Sequence, residues 1–383
     1  MNRPQKIALV DLSTEFTGGQ SYLRNLISLL GNDTRLWLLK LSPGLTASSQ
    51  QAGVKTVNLG FAIKWGRPLQ IPICMLVLLW LRIRHGLDAV WVNGYPEIAL
   101  MPWARIIGCR AIATRHLTLL TDKPKWHWLR RGWRVHFLYE RMAPAAHKII
   151  CVSEAVADSL RKCVASEKLV VIQNWIPVLP EPLPTKKEEA RPLRLLFVGR
   201  LIHHKGVFLI LDAMRRLKDV DGLRGLSLTV VGEGEDRAAL ETAAEGLSVE
   251  FAGFRSDTSS FYKCADVFVN PTLGPEGLPL VSLDAMSYGL PCIFSDIPVH
   301  KEITRNGKVA LLFESGNPED LKRSFEQLLE APQLIREYGQ LARETVEANH
   351  GPESARQRYV EELGLRRIEC PLRITATIDL PTD

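Results

Sequence analysis

Leu193-Arg194-Leu195-Leu196-Phe197-Val198-Gly199-Arg200-Leu201-Ile202-His203-His204-Lys205-Gly206 is the stretch whose reading decides the fold. Its first six residues are an apolar run of strand length. Gly199 breaks the run, and Gly206 precedes a helical pattern from Leu209 to Leu217. A short buried strand, a glycine turn and a helix make one unit of a parallel α/β sheet. Arg200 offers a planar fork and Lys205 a mobile point charge. They lie between a strand end and a helix start, where backbone N–H groups can face an anion. Spacing alone also admits two surface cations beside a turn. His203 and His204 read as turn-filling residues.

The same grammar runs outward in both directions. Downstream, Leu226–Val231 reads as a strand closed by Gly232-Glu233-Gly234. Residues 249–251, 267–269, 292–294 and 310–313 continue the series, and Asn317-Pro318 with Asp320 marks a helix start. Upstream, Pro177, Pro180, Pro182 and Pro184 precede Lys186-Lys187-Glu188-Glu189, and Pro192 ends this linker composition. Before it, strands are expected at 6–12, 35–39, 89–92, 110–114, 148–152 and 169–172. Leu23, Leu26, Ile27 and Leu30 form a helical stripe. The expected organisation is a first α/β domain over 1–176, a linker over 177–192 and a second α/β domain over 193–348. A C-terminal helix and tail over 349–383 is expected to pack back toward the first domain. A chain of 383 residues has room for two such cores. Ligands of open α/β sheets collect at the C-terminal ends of the strands, here in a cleft between the domains.

The balance of 48 basic against 42 acidic residues gives +6, too mild for a nucleic-acid partner but suited to an anionic donor or a membrane surface. None of the seven cysteines forms a C-x-x-C pair, and no metal cluster is visible; the cysteines read as small buried hydrophobes in a reducing compartment. The N-terminus carries no signal-peptide pattern. Ile71–Leu81 is apolar but far short of the roughly 20 residues that span a bilayer. It reads as a buried helix, with contact at a membrane interface as the alternative. Residues 123–141 are basic and aromatic, with Trp126, Trp128 and Trp133 among Lys123, Lys125, Arg130, Arg131 and Arg134. This suits a surface near anionic lipid, or tryptophans packed on a sheet.

A second constellation is Asn270-Pro271-Thr272-Leu273-Gly274-Pro275-Glu276-Gly277-Leu278-Pro279, leading to Asp284-Ala285-Met286. Glu276 sits in a glycine- and proline-rich loop after a strand, and Asp284 lies eight residues on in the next helix. Carboxylates accept sugar or ribose hydroxyls well, and Gly277 would allow close backbone approach. The alternatives are a solvated loop acid at Glu276 and a surface helix acid at Asp284, the latter slightly disfavoured by Leu283, Ala285 and Met286 around it.

Gly199 to Gly206, followed by Glu276 to Pro291, resembles the motif set of retaining glycosyltransferases with the GT-B fold, family 4. The resemblance implies two Rossmann-like α/β/α domains facing across a cleft. It implies transfer of a hexosyl-type group from a nucleotide-diphosphate sugar to a sugar or lipid-linked acceptor. In that reading Arg200 and Lys205 bind the donor diphosphate and Glu276 touches the donor sugar. Asp284 stands where the family has a ribose-binding Glu, one methylene longer, and Pro279 stands where glycine is common. Gly18 and Gly19 match the glycine turn near phosphate and acceptor, and His116 matches the histidine near the donor sugar. A buried structural histidine is its alternative. Gly199, Gly232, Glu233, Gly234, Gly277, Leu278 and Pro279 would line the nucleotide pocket, with Arg255 beside the base. No cofactor and no metal is expected, since basic residues serve the phosphates. The expected setting is cytoplasmic, with a peripheral membrane position open. A non-catalytic nucleotide-sugar binder and a nucleotide-sugar epimerase are the rival readings.

Overall fold

A computed structural model describes residues 5–13, 18–30, 34–40, 54–59, 67–94, 96–118, 141–177, 192–221 and 225–364. Among them one sheet holds β1 (Gln5–Asp11), β2 (Thr34–Lys40), β3 (Lys55–Asn58), β4 (Ala89–Asn93), β5 (Arg110–Arg115), β6 (Lys148–Cys151) and β7 (Leu169–Val171). All its pairs are parallel, in the order β3-β2-β1-β4-β5-β6-β7. A second parallel sheet holds β8 (Leu193–Val198), β9 (Leu226–Val231), β10 (Val249–Gly253), β11 (Val267–Asn270), β12 (Cys292–Ser295) and β13 (Leu311–Phe313), in the order β10-β9-β8-β11-β12-β13. These are two Rossmann-like domains, as the alternation of strand and helix patterns indicates.

The strand interiors are buried on both faces, as a helix-covered parallel sheet requires. Ile7–Val10, Val90–Val92, Ile149–Cys151 and Val267–Val269 are solvent-free. Most strands begin or end within a residue or two of their expected bounds. The edge strand β3 has no counterpart among the expected strands. Its sequence, Lys55-Thr56-Val57-Asn58, has no apolar run, and only its ladder with β2 makes it a strand.

The order of strands reverses between β1 and β4 in the first sheet, and between β8 and β11 in the second. Helices leave the sheet on opposite faces at such a point, which opens a crevice at the strands' C-terminal ends. The turns at Gly199 and Gly232, the Glu276 loop and His116 all follow strand C-termini.

One expectation needs correcting. Ile71–Leu81 lies in a longer helix, Arg67–His85, that is buried on one side only. Cys74, Leu78 and Leu81 form the stripe that enters the core, while Leu76, Trp80 and Ile83 point to solvent. The segment is apolar all round, but a helix on the outside of a sheet can bury only one stripe. Most of the basic aromatic stretch, the linker interior and the tail beyond residue 364 lie outside the described residues.

The last helices tie the two sheets together. After Gln333–Asn349, the chain crosses to the first domain. The backbone N–H of Ile176 donates to the His350 carbonyl at 3.0 Å. Helix Pro352–Leu363 then brings Tyr359 against Tyr22, Trp91 and Trp175. The hydroxyls of Tyr359 and Tyr22 are hydrogen-bonded at 2.6 Å, and Tyr22 also reaches Thr114 Oγ1. A separate clamp uses Glu302, on helix Pro298–Ile303 of the second domain. Its carboxylate accepts from the N–H groups of Glu154 and Ala155 and from Gln173 Nε2. Those two N–H groups open helix Glu154–Leu160 of the first domain, where a negative charge is favoured.

Tyr359→Ala should therefore destabilise the protein by about 3–5 kcal/mol through the lost ring packing. Tyr359→Phe, which keeps the ring, should cost only about 1 kcal/mol. Equilibrium denaturation of both variants checks this. Equal losses in the two would mean that the hydroxyl pair, and not the ring, anchors the helix.

Candidate active site

The site is built on backbones that lie too close for side chains. A Cβ on Gly232, whose φ is +142°, would overlap the Gly199 carbonyl, and one on Gly234 would overlap the carbonyl of Leu201. The turns after β8 and β9 thus pack main chain against main chain. Gly206, at φ +74°, ends the short 3₁₀ turn His203–Lys205 in a left-handed conformation directly against Pro271. The His204 carbonyl accepts from Leu273 N at 2.7 Å and from Thr272 Oγ1 at 3.0 Å. These bonds stitch the loop after β8 to the loop after β11, across the switch point.

The consequence is the pairing of Lys205 with Glu276. The Lys205 ammonium donates directly to Glu276 Oε2, and the Glu276 side chain is only 9% exposed. Burial works against ionisation of Glu276. Lys205, by its charge and its hydrogen bond, and the Gly277 N–H outweigh it and hold the carboxyl below its usual range. His300 is itself buried, with its ring stacked on Phe294 and Nδ1 on the Ser295 carbonyl at 2.9 Å. Burial lowers its pKa to about 4, so it is neutral at pH 7. Its Nε2 has no hydrogen-bond partner among the described residues.

The acidic loop also touches the first domain. A Cβ on Gly277 would collide with the carbonyl of His116. Thr118 N donates to the Glu276 carbonyl at 3.4 Å, and Asn174 Nδ2 donates to the Leu278 carbonyl at 2.5 Å. Pro279, in an extended conformation, then leads into helix Leu280–Ser287.

His116 follows β5 and stands edge-on to Tyr22, with ring centroids 4.7 Å apart. Burial, assisted by Arg115, lowers its pKa to about 3. Its Nε2 lies 2.8 Å from Asn93 Oδ1, while Asn93 Nδ2 donates to the Gly19 carbonyl. With the amide assigned that way, Nε2 carries the proton and Nδ1 is left as an acceptor. Asn93 ends β4 beside the carboxyl of Asp11 at the end of β1, whose pKa burial raises. Asp11 Oδ2 and Gln20 Oε1 are buried without hydrogen-bond partners among the described residues. Arg115 is buried and spends its guanidinium on the carbonyls of Leu117 and Thr118, fixing the turn that carries His116.

Asp284 lies on helix Leu280–Ser287 beside the stacked rings of Tyr262 and Tyr288. Burial lifts its pKa to about 7, against the opposite pull of Arg24 on helix Gly18–Leu30. The structure thus gathers Lys205, Glu276, Gly277, Leu278 and His116 at one point. Arg200 is exposed near it, with no hydrogen bond to another described residue. Gly199, Gly232 and Gly234 form the floor of the two turns. Glu233 is engaged by Arg237, and Arg255 is exposed and bonds the Phe254 carbonyl. Gly18 and Gly19 open the helix after β1; a side chain on Gly18 would meet nothing. Asp11, Asn93, Arg24 and His300 escaped the reading of the sequence. The one signal available for the first two was their position as polar residues closing apolar strands.

Known proteins share this architecture. Residues 17–178 match the family described as Glycosyltransferase Family 4, and residues 192–331 match that described as Glycosyl transferases group 1. An uncharacterized glycosyltransferase of Haemophilus influenzae is 28% identical over 192 residues, 49% of this chain and 53% of that protein. The chain therefore spans about half of that relative. A glycogen synthase of Mycobacterium tuberculosis is 25% identical over 322 residues, 82% of this chain and 72% of that protein. Among solved structures, Anabaena Alr3699/HepE in complex with UDP superposes with a TM-score of 0.76 at 18% identity, covering 94% of this chain and 100% of that one. At that identity the likeness establishes the architecture. With both halves matched and the two-domain arrangement shared, the chain belongs to the family 4, group 1 glycosyltransferases of the GT-B fold.

Proposed function

We propose that this glycosyltransferase moves a hexosyl group from a nucleotide-diphosphate sugar to a sugar or lipid-linked acceptor, with retention of configuration. Its setting would be polysaccharide, glycolipid or cell-envelope assembly on the cytoplasmic side, without a metal. The observation that carries this reading is the Lys205–Glu276 pair, held at the switch point against His116. The UDP complex of the Anabaena protein supports a nucleotide-sugar donor, and the glycogen synthase relative supports a polysaccharide context. The six described cysteines are free thiols, in keeping with a reducing compartment.

The chemistry follows from the charges. As the bond from sugar to diphosphate breaks, negative charge grows on the leaving group. Lys205 and the exposed Arg200, close in sequence after β8, can meet it. Cations preset in a shielded site are worth more than in water. Lys205 exchanges its carboxylate partner for phosphate oxygens, and Glu276 is then free to accept from sugar hydroxyls. His116 is neutral at pH 7, and its Nδ1 can accept from a sugar hydroxyl. Same-face departure and attack, assisted by the leaving phosphate, accounts for retention without a carboxylate nucleophile.

Lys205→Ala and Arg200→Ala should each lower kcat/KM by about 10- to 150-fold, the loss of a charged hydrogen bond worth roughly 1.5–3 kcal/mol. Wild-type turnover and donor affinity in both variants would remove the diphosphate assignment. Chelation with EDTA should leave the rate unchanged; a loss restored only by Mg²⁺ or Mn²⁺ would contradict the metal-free reading.

The two acids should separate. Glu276 faces the reacting sugar, so its contacts can strengthen as positive charge develops, and that raises turnover. Asp284 would hold ribose about equally in ground and transition states. Glu276→Gln should therefore cut kcat with modest change in donor Kd, and Asp284→Asn should do the reverse. The pH dependence of stability offers a second handle on Asp284. Its pKa rises from 3.8 to about 7 on folding, so the folded state holds the proton more tightly than the unfolded chain. Stability is then lost as pH climbs through this window. Asp284→Asn should stabilise the protein by about 1–3 kcal/mol at pH 8 and little below pH 4. A stabilisation independent of pH would show that the carboxyl is not perturbed.

A further inference from the structure

We infer that the outward face of helix Arg67–His85, together with Ile106, docks on an anionic lipid bilayer. The helix carries two apolar stripes. One, through Cys74, Leu78 and Leu81, is fully buried in the first domain. The other runs through Leu69, Leu76, Trp80 and Ile83 and is left in solvent. Leu76 is 67% exposed, Trp80 55% and Ile83 77%. Ile106, 73% exposed, extends it on the next helix, Met101–Ile106. The two helices are tied there, because Trp103 Nε1 donates to the Met75 carbonyl and Arg82 Nε to that of Ile107. Large apolar side chains this exposed and this close together mark a surface that another phase covers.

Charge identifies the phase. No acidic residue lies between Arg67 and His85 or between Met101 and Ile106. Arg84 and Arg105 flank the stripe, are exposed, and form no ion pair with described residues. On the larger scale, residues 1–176 contain 23 Lys and Arg against 10 Asp and Glu, a balance of +13, whereas the remaining 25 against 32 give −7. A second copy presenting the same basic domain would be repelled, and an anionic membrane would be attracted. No described helix is long and apolar enough to cross a membrane. An amphipathic helix of this kind lies in the interface plane, with Trp80 at headgroup level. The resulting orientation sets the basic first domain on the lipid and keeps the acidic remainder away from it.

The inference does not depend on the sugar-transfer reading, and the two are measured separately. The full chain is sedimented with phosphatidylcholine vesicles, with and without phosphatidylglycerol, at low and high salt. Binding is expected with the anionic vesicles only, weakening as salt rises. Leu76→Ser/Trp80→Ser/Ile83→Ser should lower partitioning at least about tenfold. Arg84→Glu/Arg105→Glu should lower it by about fivefold or more per charge. Neither should alter release of nucleoside diphosphate with a soluble acceptor. Should the triple variant fail to fold, the charge pair, which is wholly on the surface, decides alone. The proposal falls if the wild type ignores anionic vesicles, or if the variants bind them as well as it does. It also falls if the triple variant merely splits a wild-type dimer.

Discussion

The buried contact between Lys205 and Glu276 is the constraint on which the site depends. Removing two charges from water is costly, and a pair repays this only in good geometry. Here the geometry is imposed from below. Gly206 lets the loop after β8 lie on Pro271, and the His204 carbonyl holds Thr272 and Leu273. Neither loop could reach the other if the strand order did not reverse between β8 and β11. The ion pair is therefore an outcome of topology.

The second requirement is that the first domain meets this pair in a fixed position. Gly277 supplies the contact, since its missing side chain is what allows the His116 carbonyl to approach. Other ties reinforce it. Glu302 caps a first-domain helix, Asn174 holds the Leu278 carbonyl, and Tyr359 reaches back to Tyr22. Tyr22 also stands edge-on to His116. The C-terminal helix is thus one residue removed from the site. Anchoring of the tail and placement of the imidazole are parts of one packed aromatic group.

What the sequence made legible was whatever is local. Apolar runs ending in glycine announced the strands and the turns, and the cations at Arg200 and Lys205 followed such a run directly. Glu276 stood out because it sits in a loop rich in glycine and proline. What stayed hidden depends on partners far away in the chain. Asp11 and Asn93 become one group only because β1 and β4 are neighbours after a crossover of some eighty residues. Arg24 and Asp284 come under each other's influence from different domains. His300 looks like an ordinary helix residue until its ring is seen near Glu276. The helix from Arg67 to His85 misled for a different reason. Hydrophobicity says that a segment leaves water, and it does not say how many of its faces the fold covers.

Asp284 brings these threads together. The resemblance to the family sets a longer acid at this position, so the shorter side chain must draw its carboxylate back toward the helix. In the structure that carboxylate is near enough to Tyr262 and Tyr288 to act on both phenols, and burial raises its pKa to about 7. The residue opposing that shift is Arg24, which belongs to the other domain. Any motion that separates the domains would take Arg24 away and favour the protonated acid further. Any approach would favour the carboxylate. The charge of this acid on the second domain thus answers to a cation on the first.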